Sequence, residues 1–460
     1  MTLSLLDAPD CLDGPRCDVG LPAASQAAGG PWQRALADAT QPDAGTAAFR
    51  RRATAECLDT LATLRAFREP LPNETWQTPY ASECRALAQV NAIVGLGPNS
   101  LQHAVDHALD PDLPDPGRVF AVLLTLGCVA GPRWLAPLRD LFVAATQRGP
   151  SEAAAAIEAL GLAAHPELAA TLRPLLTHEH ARVRAGALRV LSFRRELAAP
   201  EWSHALEDAH AHVVVTAAGA PLAGYDPLLC ERALAPLLSG SDETRARAAL
   251  RAGLGIRLRA AYLAAKAHAQ RAAAWADSIV CLAAFGFPDD AGLVRAALHA
   301  GHTSSASRAA GLLGEPSLVA DLIVCAQAAA EAADPQVAAI VAGHMASALQ
   351  MITGLDCAGL SPGTEWQRRW AAHADAFEAG KRYRHGRPLT IAELRHGLEM
   401  PNATRAQRQC TYLELMAATE GAVPRFDAHD FVAVQRRSLR TIDAWLARPD
   451  APAWPSRALH

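Results

Sequence analysis

The residues best suited to chemistry are arginines at what the sequence marks as helix starts: Arg182 and Arg184, Arg245 and Arg247, and Arg308. A guanidinium presents a planar fork of donors that can grip a carboxylate or phosphate through two bonds. A ladder of such forks on one surface would hold an acidic partner. Cations at helix starts also oppose the helix dipole, so each calls for a counter-charge. Glu179, Asp242 and Glu243 in the adjoining turns are the internal candidates. A second basic group is the run Lys381 to Pro388, where Lys381, Arg382, Arg384 and Arg387 surround Tyr383. It reads as a solvated loop or as a patch for phosphate, nucleic acid or an acidic protein surface.

Catalytic constellations are weaker. His178-Glu179-His180, followed by His204, His210 and His212, is the most metal-like cluster. Histidines at i and i+2 suit a turn better than one helical face, and a zinc site needs three or four converging ligands. Asp289-Asp290 follows Pro288 and reads as a helix cap. Asp110, Asp112 and Asp115 share a Pro-rich loop without the regular calcium-loop spacing. Neither Gly-x-Ser-x-Gly nor a phosphate-binding glycine loop occurs. We therefore assign no catalytic residue, metal ligand or cofactor.

The elements that must position these side chains are helices. Apolar residues make up 50 % of the chain and aromatics only 5 %, so alanine, leucine and valine dominate. Alanine has the highest helix propensity. An apolar–small pair returns at Val94-Gly95, Leu126-Gly127, Leu160-Gly161, Leu191-Ser192, Leu222-Ala223, Leu254-Gly255, Phe285-Gly286 and Leu313-Gly314. A period of about 31 residues marks a solenoid, whose units bury their apolar faces only by stacking. The fullest unit runs from Ser151 to Arg194, with helices ending near Leu160, Thr177 and Ser192. Pro137, Pro174 and Pro236 lie in equivalent phrases and predict short or kinked helices.

This yields an expected organisation: 1–31 a mobile tail, 32–84 an N-terminal helical cap, 85–356 the repeats, 357–448 a C-terminal helical module and 449–460 a frayed tail. Within the cap, Phe49 to Phe67 forms a helix with Cys57, Leu58, Leu61 and Leu64 inward. In the module, Thr390 caps a helix through Leu398, and Thr404–Ala418 and Asp427–Leu446 form two more. Trp366 and Trp370, one turn apart, pack the end of the repeats.

Net charge is −4, which gives no general attraction to nucleic acid or anionic membrane. Lys266 and Lys381 are the only lysines. The ten cysteines include no Cys-x-x-Cys and suit a reducing compartment. The start of the chain lacks the basic region of a signal peptide. The apolar stretch Val119 to Gly131 is shorter than the roughly 18 residues that span a bilayer. These features predict a cytoplasmic protein without membrane insertion.

The helix grammar, with Arg-bearing second helices such as Arg184-Ala185-Gly186-Ala187-Leu188 and Arg308-Ala309-Ala310-Gly311-Leu312, resembles HEAT-like repeats of the bilin-lyase type over residues 85–355. The resemblance implies an all-α, right-handed α-solenoid of HEAT-like helix pairs. By it, the arginine-bearing helices line the concave surface. HEAT-like di-iron hydroxylases carry His-Glu pairs on successive repeats, whereas here only His178-Glu179 occurs. HEAT-like DNA glycosylases have a basic, aromatic-lined groove, which sparse aromatics and acidic net charge disfavour. The phrases Ala348 to Asp356, Arg382 to Thr390 and Phe426 to Arg437 narrow the match. With the repeats they look like a bacterial family of HEAT-like proteins encoded beside type VI secretion genes, over residues 50–447. The N-terminal third departs from that family's pattern. The resemblance implies a scaffold or adaptor with a protein partner, a secretion component or effector, and no known reaction. The alternatives are an enzyme acting on nucleic acid or protein side chains, and an immunity or regulatory protein that binds a toxin.

Overall fold

In the computed structural model, the described residues are 44–71, 73–108, 115–222, 224–271, 276–331, 334–357 and 360–449. The expected tail 1–31, the start of the cap, the loop holding Asp110 and Asp112, and all but the first residue of the frayed C-terminus lie outside them. The chain is about 72 % helical, with 22 α-helices and one two-residue hairpin among the described residues, which makes it all-α. It divides into two compact units. Unit 1 holds the described residues through Glu196 together with Asp430–Arg437, and unit 2 holds Leu197–His429 and those from Ser438 onward.

Unit 1 begins with α1 (Ala44–Ala66), α2 (Tyr80–Gly95), α3 (Pro98–Ala108) and α4 (Pro116–Leu126). It continues with α5 (Leu135–Arg148), α6 (Pro150–Leu162), α7 (Leu168–Leu172) and α8 (Ala181–Arg194). Helices two apart in sequence lie side by side: α4 packs on α6, and α6 on α8, while α5 packs on α7. This two-layer alternation follows from repeated helix pairs, each burying one stripe against its neighbours. Helix α4 is the deepest, with Val119 to Leu126 all buried. Its first turn has Asp115 accepting from the Gly117 N–H at 2.7 Å and Pro116 at the first position, where a missing N–H costs nothing. Helix α1 starts before the predicted Phe49, and Leu58, Leu61 and Leu64 face the core as expected.

Unit 2 repeats the pattern with α9 (Ala199–Leu206), α10 (Ala211–Ala218), α11 (Pro227–Ser239), α12 (Glu243–Gly255) and α13 (Arg259–Ala269). Next come α14 (Ala276–Phe285), α15 (Ala291–His299), α16 (Thr303–Leu313), α17 (Leu318–Ala330) and α18 (Pro335–Thr353). The even-numbered helices α10 to α18 form one row, each against the next, and the odd-numbered α9 to α17 form the other. Asp226-Pro227 and Asp334-Pro335 repeat the start signal of α4. Three of the apolar–small pairs fall at or beside the ends of row helices of unit 2: Leu254-Gly255, Phe285-Gly286 and Leu313-Gly314.

The three prolines act differently. Pro174 ends α7 and turns the chain into a 3-10 segment, Arg173–Thr177. Pro236 sits inside an unbroken α11, and Pro137 falls in the first turn of α5. The longest helix without a charged side chain corrects the sequence reading. It is α18, not Val119–Gly131, and by length and composition alone α18 is apolar enough to cross a membrane. Its C-terminal half is core, with Met345, Leu349 and Ile352 buried, while Val337 and Ile340 near its start are more than half exposed.

The last elements are α19 (Thr364–Ala371), β1 (Tyr383–Arg384), β2 (Arg387–Pro388), α20 (Ile391–Gly397), α21 (Arg405–Ala418) and α22 (Val432–Leu446). Trp366 is buried in the α14–α18 core, and Trp370 packs against it through Phe377 and Tyr383. Thr390 caps α20, and Thr404 caps α21 in a reciprocal pair with Gln407. Helix α22 starts at Val432 rather than Asp427. Asp427 instead closes a turn onto the His429 N–H at 2.9 Å, and the Val432 N–H donates to Glu83 Oε2 at 2.7 Å.

Candidate binding surface

The predicted arginines separate into paired and open ones. Arg184 on α8 donates from Nη1 to the main-chain carbonyls of His178 at 2.7 Å and Glu179 at 2.9 Å. The turn thus supplies a partner through its backbone rather than the Glu179 carboxylate. Arg245 and Arg247 on α12 pair with the acids of their own first turn, Asp242 at 3.2 Å and Glu243 at 3.7 Å. Asp242 also accepts from the Arg245 N–H at 3.1 Å, so one carboxylate caps the helix and balances the cation. Arg182 on α8 and Arg308 on α16 are exposed, and neither side chain has a hydrogen-bond or ion-pair partner among the described residues.

The basic run folds into the β1–β2 hairpin, and it is not a uniformly solvated loop. Tyr383 and His385 donate main-chain N–H groups to the carbonyls of Gly314 and Met351, both at 2.7 Å, and Gly386 donates to Ile352 at 3.0 Å. The hairpin thus satisfies carbonyls that the ends of α16 and α18 leave without helical donors. Arg382 adds its side chain. Nε donates to Leu313 O at 2.9 Å, Nη1 to Gly286 O at 3.3 Å, and Nη2 to Ala283, Ala284 and Leu312 O at 2.9 to 3.3 Å. A cation among helix C-termini meets their negative dipole ends. Burial nonetheless lowers its pKa to about 10, with Glu414 opposing that shift and Arg384 adding to it.

Arg384 binds both Glu414 carboxylate oxygens at 3.1 Å and the Leu312 carbonyl at 3.1 Å. The donors of Arg382 and Arg384 are turned inward. Lys381 and Arg387 are exposed and pair with Glu378 at 2.6 Å and Glu393 at 3.9 Å. Beside the hairpin lies a cleft of about 330 Å3 lined by Arg257, Phe285, Phe287, Leu389 and Glu414.

Glycine is required where the hairpin meets the helices. Gly314 has φ +71°, and a Cβ there would strike the Tyr383 carbonyl oxygen. Gly354 has φ +72°, and its Cβ would lie 2.8 Å from the His385 carbonyl oxygen.

One basic cluster remains open in unit 2. Helix α21 packs on α12 and α14 and brings Cys410 near Arg384, Arg308 and Arg251. Burial raises the thiol pKa to about 11, Glu414 adds to the rise, and the three arginines partly oppose it. Arg251, like Arg308, is exposed with no side-chain partner among the described residues. Sequence reading passed over Arg251. The available signal was its place four residues after Arg247, one turn along the same helical face.

Among the described residues no three His, Cys, Asp or Glu side chains converge as metal ligands. His178 and His180 stack at 5.7 Å in their turn, and the His178 ring accepts from the His180 N–H. Asp290 does more than cap. It is buried, accepts from the Phe287 N–H at 2.9 Å and the Tyr262 hydroxyl at 2.9 Å, and pairs with Lys266 at 2.9 Å.

No protein-family model matches the chain, and no curated protein matches it. Among solved structures it is similar to YibA of Escherichia coli, at 13 % identity and a TM-score of 0.28, covering 57 % of this chain and 86 % of that one. It is also similar to human deoxyhypusine hydroxylase in complex with glycerol, at 19 % identity and a TM-score of 0.22, covering 67 % and 98 %. A third is an engineered protein, at 16 % identity and a TM-score of 0.20, covering 50 % and 96 %.

Proposed function

We propose that the protein is a non-enzymatic scaffold or adaptor that docks an acidic protein partner on the arginine surface of unit 2. The observation that carries this reading is the convergence of Arg251 and Arg308, exposed and unpaired among the described residues, beside Cys410 on α21. Exposed guanidinium groups without counter-charges have their donors available for carboxylates, and such pairs steer association more than they add affinity. The two-row helix packing supports a finer reading as HEAT-like pairs of about 31 residues in a right-handed solenoid. The resemblance of the C-terminal phrases supports a partner among components or effectors of a type VI secretion system, met in the bacterial cytoplasm.

The test is capture of partners from the native host lysate by tagged wild type and by Arg251→Glu/Arg308→Glu. Wild type should retain one acidic protein at low salt and lose it near about 0.5 M salt, where exposed ion pairs are screened. The double variant should lose it at low salt with an unchanged melting temperature. Equal capture by both chains, or recovery of nucleic acid in place of protein, would overturn the reading.

A further inference from the structure

Between the first two turns of α1 and the start of α3, unit 1 holds a cleft of about 330 Å3. That volume lies at the lower end of the range for small-molecule sites. Its walls carry Arg50 and Arg51 from α1, and Asn99, Ser100, Gln102 and His103 from α3. Neither Arg50 nor Arg51 has a side-chain partner among the described residues, whereas the next residue, Arg52, pairs with Glu56 at 3.7 Å. Asn99 and Ser100 belong to the first turn of α3; the Ser100 N–H donates to Gly97 O at 3.0 Å, so the Asn99 N–H is the main-chain donor left there among the described residues.

An independent observation concerns Ser100. It is 2 % exposed, lines this cleft, and its hydroxyl has no hydrogen-bond partner among the described residues. Buried hydroxyls are almost always bonded, so an unbonded one beside two unpaired guanidinium groups marks a place for a ligand oxygen. The cleft also contains one acid. Asp106 accepts from Gln102 Nε2 at 3.0 Å through one oxygen, leaving acceptor capacity at that end.

We propose that this cleft binds a small phosphate monoester whose other end carries a hydroxyl or amino donor. The phosphate lies between Arg50, Arg51 and the start of α3 and accepts from the Ser100 hydroxyl. Asp106 accepts from the donor end. Sugar phosphates and nucleoside monophosphates share this chemistry.

The test is isothermal titration of the full chain with glucose 6-phosphate, adenosine monophosphate and inorganic phosphate. One saturable site is expected for at least one ester, with about tenfold weaker binding of inorganic phosphate, which lacks the donor end. The stronger ester identifies the source. Arg50→Gln/Arg51→Gln should weaken ester binding about tenfold or more, since charged hydrogen bonds are lost. Ser100→Ala should weaken it several-fold while holding or raising the melting temperature, because it removes an unsatisfied hydroxyl. Absence of saturable binding by both esters, or an affinity unchanged in the folded Arg50→Gln/Arg51→Gln protein, would overturn the proposal.

Discussion

Arg382 spends its donors on five main-chain carbonyls at the ends of α14 and α16. Only a guanidinium has enough N–H groups, in a rigid enough plane, to meet that set. Arg382→Met should therefore lower stability by roughly 2–4 kcal/mol in urea unfolding, because carbonyls lose donors in a partly buried place. Arg382→Lys should recover less than half of the loss. Full recovery by lysine would show that charge alone matters at this position. Cys410 is the counterpart at the open surface. Arg384, Arg308 and Arg251 act on it electrostatically, yet burial dominates and its thiol stays protonated at neutral pH. The same holds for Cys128 and Cys230, each raised to about 11 chiefly by burial. All three should resist alkylation at pH 7.5 in the native protein and react on unfolding, as mass spectrometry after a timed iodoacetamide pulse would reveal.

At the scale of elements, the hairpin and the helix ends are made for each other. The phrase Ala348 to Asp356 ends α18 with a left-handed glycine, and the phrase Arg382 to Thr390 is the hairpin that closes over it. Two of the three phrases that narrow the resemblance thus form one contact. Gly314→Ala combines a left-handed backbone with a collision against Tyr383, and should cost roughly 2–4 kcal/mol. A loss below about 0.5 kcal/mol would mean the hairpin yields easily. The prolines make the converse point. Pro236 lies inside α11, where it removes a hydrogen bond, so Pro236→Ala should raise stability by about 1 kcal/mol or more. Pro174 opens a 3-10 segment, where no such bond is lost, and Pro174→Ala should give no comparable gain.

At the scale of the whole molecule, the titrating groups with raised pKa values act together on the alkaline side. Cys128, Cys230 and Cys410 hold their protons more tightly in the folded state, as does the Tyr262 hydroxyl through burial and Asp290. Lys266 is also raised, mainly by its hydrogen bond to Asp290. In each case the folded protein binds more protons than the unfolded chain once pH passes the unfolded pKa, so stability falls as pH rises. The thiols set the window, from about pH 9 to about pH 11, with Tyr262 and Lys266 adding above pH 10. Urea midpoints should be flat from pH 7 to 8.5, and above about pH 9 the thiols pull them down against Arg382 and Arg408, whose burial-lowered pKa values of about 10 and about 9 act in the opposite sense. Serine or alanine at Cys128, Cys230 and Cys410 should make the slope between pH 9 and 11 more positive, at some cost in packing. An unchanged slope would assign it to other groups.

The sequence by itself determined that the chain is helical, where several of its row helices end, and that Thr390 caps one of the last helices. These are local matters. Alanine content, an apolar period and a Thr-x-x-Glu box act within a turn or two of the chain, so a window of sequence contains their causes. It did not determine which cations stay open to a partner. Arg382, in a basic run around Tyr383, and Arg308, at a helix start, both read as candidate binding arginines. Only the tertiary structure turned one inward and left the other at the surface. Arg382 meets Ala283 across 99 residues of chain, and the position of α21 decides what lies beside Arg251 and Arg308. Helical periodicity assigns a side chain to a face, but coverage of that face depends on long-range packing, to which local propensity is blind.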